Sequence, residues 1–289
     1  MALGNRELIE AIEAGSFLLP ETPGYIQELP FDGAKGRIAA VPHPYLNTVG
    51  LARFSSADAP AAINSIKAIY AERDNALTWM VGPSSTPREL GELLTDAGFR
   101  KIVDLAGMAR QDLSSPVGEA PGVTIRKALP EQRDLVLATT VRAGGLSEEF
   151  AGFAVDLREE LRGRLETDTY LAFVEGTELP VGFATMTYFP DRPVVELGGA
   201  ATMSEHRGRG VYSSLLSRRL GDAHARGREA AVLQAARATS APICERHGFV
   251  DVCSLEFYLW VPEQMPEELS SEFGLDGSLV VDDSPQPSN

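Results

Sequence analysis

The segment that most restricts how this chain can fold is a glycine- and arginine-rich turn, Arg207-Gly208-Arg209-Gly210. Before it runs VVELGGAATM (194–203), which reads as a strand. After it VYSSLLSRRLGDAHARG reads as a helix from about Gly210 to Ala225. A strand that passes through glycines into a helix leaves several first-turn amides without carbonyl partners. They converge on a small volume and favour an anion. Glycines let the backbone approach closely, and Arg207 and Arg209 add positive charge to an otherwise acidic chain. A phosphate or pyrophosphate is the ligand this implies. The same residues also suit the cap of an ordinary surface helix, and the turn alone leaves both readings open. A P-loop would need Gly-Lys-Ser/Thr, which is missing. A dinucleotide fingerprint would need three spaced glycines in a parallel unit, whereas the strands ahead of this turn look like an antiparallel meander.

The surrounding pattern alternates strands and helices in both halves. In the first, RIAAVP (37–42) and NTVGLARF (47–54) read as strands, Ser55–Asp74 as a helix and LTWMVG (77–82) as a buried strand. A helix from Pro87 to Ala97 is ended by Gly98, and a strand follows around Ile102–Met108. SSPVGEAPG (114–122) reads as a linker. In the second half VTIRKAL (123–129) is a strand, Pro130 opens a helix, and Ser147 caps another. TYLAFVEG (169–176) and LPVGFATMTYF (179–189) are strands joined at Gly176-Thr177. AAVLQA (230–235) is a buried strand, Ala241–Arg246 a helix, and 249–260 one or two strands. The halves end alike, in a buried strand, a short helix, Gly-Phe (Gly98-Phe99, Gly248-Phe249) and a strand. Two related domains would explain this, and so would common helix-capping grammar.

Composition narrows the function classes. The chain has 289 residues, 44% apolar and 23% charged, enough for two globular domains. Its net charge of -15 repels phosphate backbones, so nucleic acid is not an expected partner, while a cationic amine is weakly attracted. Two cysteines and four histidines build neither a disulfide framework nor a four-ligand zinc site, and no metal is expected. A reducing cytoplasm fits. Charges at Arg6, Glu7, Glu10 and Glu13 break any signal-peptide core, and no apolar run is long enough to span a membrane. From about Pro262 the chain reads as a poorly ordered acidic tail.

HRGRGVYSSLL (206–216) resembles the pyrophosphate-binding motif of the GCN5-related N-acetyltransferases (GNATs), Gln/Arg-x-x-Gly-x-Gly/Ala. Arg207 matches the first position and Gly210 the fourth; Tyr212 stands where a small residue is usual. GGAATMSEHRGRG resembles the strand leading into that loop, and TSAPICERHGF (239–249) the later helix motif ending Tyr-Glu-x-x-Gly-Phe. The resemblance covers roughly Val123–Trp260. It implies an α/β (α+β) fold of two GNAT-like domains, each a mixed, mostly antiparallel twisted sheet flanked by helices. The implied division is a degenerate copy at 1–113, the linker at 114–122, an acetyl-CoA-binding domain at 123–262 and the tail at 263–289.

By that resemblance, Ala201, Thr202 and Met203 line the pantetheine arm of acetyl-CoA, which is the cosubstrate. Gly208, Arg209, Gly210, Val211, Tyr212 and Ser213, after Arg207, supply amides to its pyrophosphate. The implied reaction moves the acetyl group to a primary amine of a small molecule or peptide. Glu196, an acid interrupting an apolar strand, is the expected proton acceptor, with Tyr188 and Asp191 behind it. The family's late-helix tyrosine acid is replaced by Cys244, which serves as an acid or packs as a small apolar residue. His206 is placed to help anchor phosphate and His247 to sit at a helix end. The competing function is a non-catalytic acyl-CoA-binding regulatory module, which the changes at Tyr212 and Cys244 favour.

Overall fold

The computed structural model of the chain describes residues 3–114 and 118–262. From the N-terminus, helix α1 (Asn5–Gly15) precedes strands β1 (Ile26–Glu28), β2 (Lys35–Ala39) and β3 (Thr48–Gly50). Helix α2 (Ala59–Ala71), strand β4 (Leu77–Val81), helix α3 (Leu90–Asp96) and strand β5 (Arg100–Arg110) follow. Then come β6 (Val123–Lys127), a 3-10 turn (Pro130–Gln132), α4 (Arg133–Gly144), α5 (Glu148–Glu160), β7 (Thr167–Val174) and β8 (Gly182–Tyr188). The run 194–203 is not one strand but two, β9 (Val194–Glu196) and β10 (Ala200–Thr202), broken at Leu197-Gly198-Gly199. After a 3-10 turn (Ser204–His206), α6 (Val211–Ala225), β11 (Ala230–Ala236), α7 (Ser240–Arg246) and β12 (Val250–Trp260) complete the order. This is the mixed α/β class expected. Helix α1 and strand β1 are additions to the reading above.

Two compact units form, but they do not follow the linear division at 113 and 123. The C-half unit takes the chain up to Tyr25 together with Gly107–Gln234 and Ile243–Val252; the N-half unit takes Ile26–Ala106, Ala235–Pro242 and the chain from Cys253 on. Strand β5 therefore starts in the N-half unit and ends in the C-half unit, and β12 does the reverse. The last residues of β12, Glu256–Trp260, pair antiparallel with Val81–Leu77 of β4. The end of each half's closing strand thus counts with the other half's unit. Such pairing is decided by hydrogen bonds between distant segments and leaves no local pattern.

Within the C-half unit β6, β7 and β8 form the expected antiparallel meander. Strand β9 pairs antiparallel with β8 through Thr187↔Glu196 and Tyr188↔Val195, and parallel with β11 through Val194↔Ala230 and Glu196↔Val232. Helix α6 makes the crossover between these parallel strands. Its Leu215, Leu216 and Leu220 are fully buried, each contributing about 1.5–3 kcal/mol of apolar burial. Ser147 caps α5 as expected, its hydroxyl accepting from the Phe150 amide at 3.3 Å.

The N-half unit repeats that order. Strands β1, β2 and β3 are antiparallel, and β3 runs parallel to β4 across α2. Its core gathers Val49, Ile63, Ile66, Tyr70, Trp79 and Phe99. In both halves a short helix ends at a glycine of positive φ, Gly98 (+89°) or Gly248 (+79°), and the next phenylalanine is buried. The shared ending is thus part of one repeated sequence of elements. Residues 115–117 of the linker and the acidic tail from 263 lie outside the described residues.

Candidate active site

The break after Glu196 opens one side of the sheet. The last backbone bond joining this strand region to β11 is Leu197 N–H to Val232 C=O, 2.9 Å. Beyond it β10 stays with β8 alone, through Ala200↔Ala184, Ala201↔Phe183 and Thr202↔Gly182. Gly182 permits this approach, since a Cβ there would lie 2.8 Å from the Ala201 carbonyl oxygen. Met203 N–H bonds Val181 C=O, and Thr185 N–H bonds the Gly198 and Gly199 carbonyls. The alternation of an antiparallel ladder then turns the backbone groups of Ala200 and Thr202 away from β8. An open strand edge results within a largely buried sheet. Thr202 Oγ1 is buried there with no hydrogen-bond partner, a situation that favours a ligand supplying one.

The glycine-rich turn follows directly. Arg207 is extended, with its Nε donating to the Thr202 carbonyl at 3.3 Å, and Arg209 lies 3.3 Å from His206 Nδ1. Gly208 (φ +72°) and Gly210 (φ +77°) hold left-handed backbone, and Gly210 caps α6. Val211, Tyr212 and Ser213 are first-turn residues whose amides have no carbonyl within the helix to bond. Arg207, Gly208 and Arg209 are exposed. Gly210 is needed twice over: besides its φ, a Cβ would come 2.5 Å from the Cβ of Ala120. The described end of the linker is tied down here, with Ala120 N–H donating to Ser214 Oγ at 3.0 Å.

Glu196 sits at the end of β9, partly buried. A Cβ on Gly198 would lie 2.9 Å from its Oε2, and one on Gly15 would lie 3.0 Å from its Cγ. The carboxylate thus lies over the glycine break, with the end of α1 beside it. Gln234 Nε2 anchors that helix end, bonding Ser16 Oγ at 3.0 Å and Ile12 C=O at 3.3 Å. Two arginines sense Glu196. Burial lowers the pKa of both Arg158 and Arg219, and the Glu196 charge opposes the shift in each.

Arg219 carries no local sequence signal that sets it apart from Arg218. It is 1% exposed and donates to the carbonyls of Thr185 (3.0 Å), Leu215 (3.2 Å) and Gly198 (3.4 Å). It therefore fixes the glycine break from below. It also acts electrostatically on Tyr212 and Cys244, which meet at 3.5 Å between hydroxyl and thiol. Cys244 is fully buried, and burial pushes its thiol pKa up. Burial likewise pushes the Tyr212 phenol up. Tyr212, expected in the pyrophosphate loop, thus brings its hydroxyl against Cys244, the residue that stands where the resemblance implies a late-helix tyrosine. His247 Nε2 lies 2.9 Å from Ser213 Oγ, and its pKa is lowered by burial and by Arg246 and Arg110.

The two reserve candidates stand apart from Glu196. Because Thr187 pairs with Glu196, the adjacent Tyr188 faces the other side of the sheet. It is buried, donating to Asp168 at 3.0 Å. Asp191 is exposed and paired with Arg192.

The N-half unit closes the equivalent edge with its own backbone. After β3 the chain continues through Leu51 (φ +51°). Thr86 N–H then bonds Ala52 C=O at 2.8 Å, and Phe54 N–H bonds Thr86 C=O at 3.2 Å, in a parallel bridge of Arg53 with Thr86. The next helix starts at Asp58, which accepts from the Ser55 hydroxyl at 2.6 Å and puts negative charge at the helix start.

Residues 156–250 match the family model described as an acetyltransferase (GNAT) domain. Solved structures with the same fold include a GCN5-related N-acetyltransferase from Kribbella flavida, 20% identical, with TM-score 0.64, covering 90% of this chain and 96% of that one. Another from Sphaerobacter thermophilus is 14% identical, with TM-score 0.62 and coverages of 90% and 94%. A tandem GNAT protein from the clavulanic acid biosynthesis pathway is 16% identical, with TM-score 0.58 and 89% of each chain covered. No curated protein matches the chain. The open edge, the glycine-capped helix and the segment match agree: residues 156–250 match an acetyltransferase (GNAT) domain, and the chain shares the fold of the GCN5-related N-acetyltransferases.

Proposed function

We propose that the protein transfers the acetyl group of acetyl-CoA to a primary amine, with one acetyl-CoA bound per chain in the C-half unit. The observation that carries this reading is the one-sided edge of β10, running straight into the glycine-capped start of α6. The pantetheine arm would add along Ala200–Met203 as an extra strand edge, with Thr202 Oγ1 gaining a partner. The pyrophosphate would meet the amides of residues 208–213 beside Arg207 and Arg209.

An alkyl amine of pKa ~10.4 is mostly protonated at neutral pH. Glu196 takes one proton, directly or through water; the neutral nitrogen attacks the thioester carbonyl, the C–S bond breaks, and the sulfur takes a proton. In this reading the Tyr212 hydroxyl, 3.5 Å from the Cys244 thiol, supplies that proton. Cys244 then packs beside it; burial raises both the thiol and the phenol, so burial does not separate the two, and the kinetics of the single variants does. Two free, buried cysteines and the absence of a helix long and apolar enough to cross a membrane among the described residues accord with a cytoplasmic setting. The second reading, a non-catalytic acyl-CoA module, draws support from the buried Tyr212–Cys244 pair where the family places a tyrosine acid. A screen of acetyl transfer over aminoglycosides, polyamines, amino acids and peptide N-termini decides. Transfer to any of them supports the enzyme, and tight acetyl-CoA binding without transfer supports the module.

A further inference from the structure

A cavity of about 390 Å³ opens in the C-half unit among the start of α4, the end of α5 and the start of β7. It is at the small end of ligand-sized pockets, large enough for one compact metabolite. Leu129, Val136, Val155 and Leu165 give it apolar walls. In a chain of net charge -15, its lining carries four cations (Lys127, Arg133, Arg158, Arg162) against three acids (Glu159, Glu166, Asp168).

Three of those cations are already satisfied. Lys127 pairs with Asp168, Arg133 with Asp156, and Arg162 with Glu159. Arg158 differs: among the described residues it makes no hydrogen bond or ion pair, and the Glu196 charge acts on it. A half-buried guanidinium keeps its five donors, in a planar fork that matches a carboxylate. As it lines the cavity without an ion-pair partner of its own, a carboxylate could meet that fork without displacing an existing pair. The neighbouring carboxylate is the one proposed to take the proton from the acceptor.

We propose that this cavity receives an acceptor bearing a carboxylate near its amine, an amino-acid-like zwitterion, with the carboxylate on Arg158 and the ammonium toward Glu196. The inference rests on the acetyl-transfer reading for what happens next, but not for binding. Thr167 of the lining pairs with Thr187, which pairs with Glu196, so the cavity wall and that carboxylate lie in one row across the sheet, and a cation and an anion so placed complement the two ends of such a molecule. An amine without the carboxylate would leave Arg158 unbonded.

The test uses the full chain and the twenty amino acids, each beside its carboxamide. Binding is measured by calorimetry and acetylation by release of CoA thiol. The expected result is that at least one amino acid binds, and is acetylated, about 10–100-fold better than its carboxamide. In Arg158→Gln that preference should fall to within a few-fold, while Arg158→Lys keeps part of it. Urea unfolding midpoints and acetyl-CoA affinity establish that both variants are folded. Equal treatment of acids and amides, a preference that survives Arg158→Gln, or no binding of any amino acid overturns the inference. An amino acid that binds through Arg158 without being acetylated leaves the site standing and removes the transfer reading. Transfer to plain amines without any acid preference does the opposite.

Discussion

Gly210→Ala tests whether the phosphate loop is built as described, because the structure predicts its cost from two separate causes. The first is conformational: at φ +77° an alanine meets the left-handed penalty, roughly 1–2 kcal/mol. The second is steric. The new Cβ would sit 2.5 Å from the Cβ of Ala120, where carbon atoms prefer about 3.5–4.0 Å. Ala120 must therefore retreat by about 1 Å or more, which breaks its 3.0 Å bond to the buried Ser214 hydroxyl. That loss costs about 0.5–1.5 kcal/mol. The total is about 1.5–3.5 kcal/mol from one methyl group. Ala120→Gly separates the causes, since it removes the clash and leaves the backbone penalty. In a double-mutant cycle followed by circular dichroism in urea, the pair should recover about 0.5–1.5 kcal/mol relative to additivity. A Gly210→Ala cost below about 0.5 kcal/mol, or strict additivity with Ala120→Gly, would refute the packing of the linker on the loop.

Other outcomes follow from the same geometry. Glu196→Gln should lower turnover by roughly 10²–10⁴-fold at neutral pH with little change in acetyl-CoA affinity, and the loss should shrink as pH rises and more amine is already neutral. Wild-type turnover across that range would leave Glu196 a structural residue. Cys244→Ala should keep most turnover, whereas Tyr212→Phe should slow it by about tenfold or more; the reverse ranking, read from steady-state kinetics, would return the acid role to the thiol. In the N-half unit, burial lowers His43 to about 4, while its Nδ1 accepts from the Tyr45 amide at 3.3 Å. The unfolded chain binds that proton first. The stability His43 contributes is therefore full above about pH 6.5 and falls toward pH 4, by at most ~1.4 kcal/mol per pH unit. Replacing His43 by Gln should flatten that part of the urea-midpoint profile, and an unchanged slope would contradict the assignment.

Local chemistry made much of this legible. Gly208 and Gly210 are punctuation that only a left-handed turn requires, so the loop and the start of α6 could be read directly. The apolar runs of β7, β8 and β11 announced buried strands, and Ser147 announced a helix cap. What stayed hidden depends on partners far away in sequence. Arg218 and Arg219 look alike on a helix, yet Arg219 is buried because the carbonyls of Thr185 and Gly198 wait for it. The run VVELGGAATM is apolar enough to pass for one strand, and only its pairing reveals the break at Gly198-Gly199. The meeting of Tyr212 with Cys244 joins α6 to α7, and the ends of β5 and β12 fall in the other half's unit. Neither has a periodicity that a single segment could show.

The central claim is that the C-half unit holds one acetyl-CoA on the β10 edge and the Arg207–Ser213 turn, and calorimetric titration of acetyl-CoA into the full chain tests it most directly. The predicted result is one site per chain in the wild type, and no measurable binding when Arg207 and Arg209 are both replaced by Glu in a chain that still unfolds at the wild-type urea midpoint. Two sites per chain, no site, or an unchanged affinity in that folded double variant would contradict it.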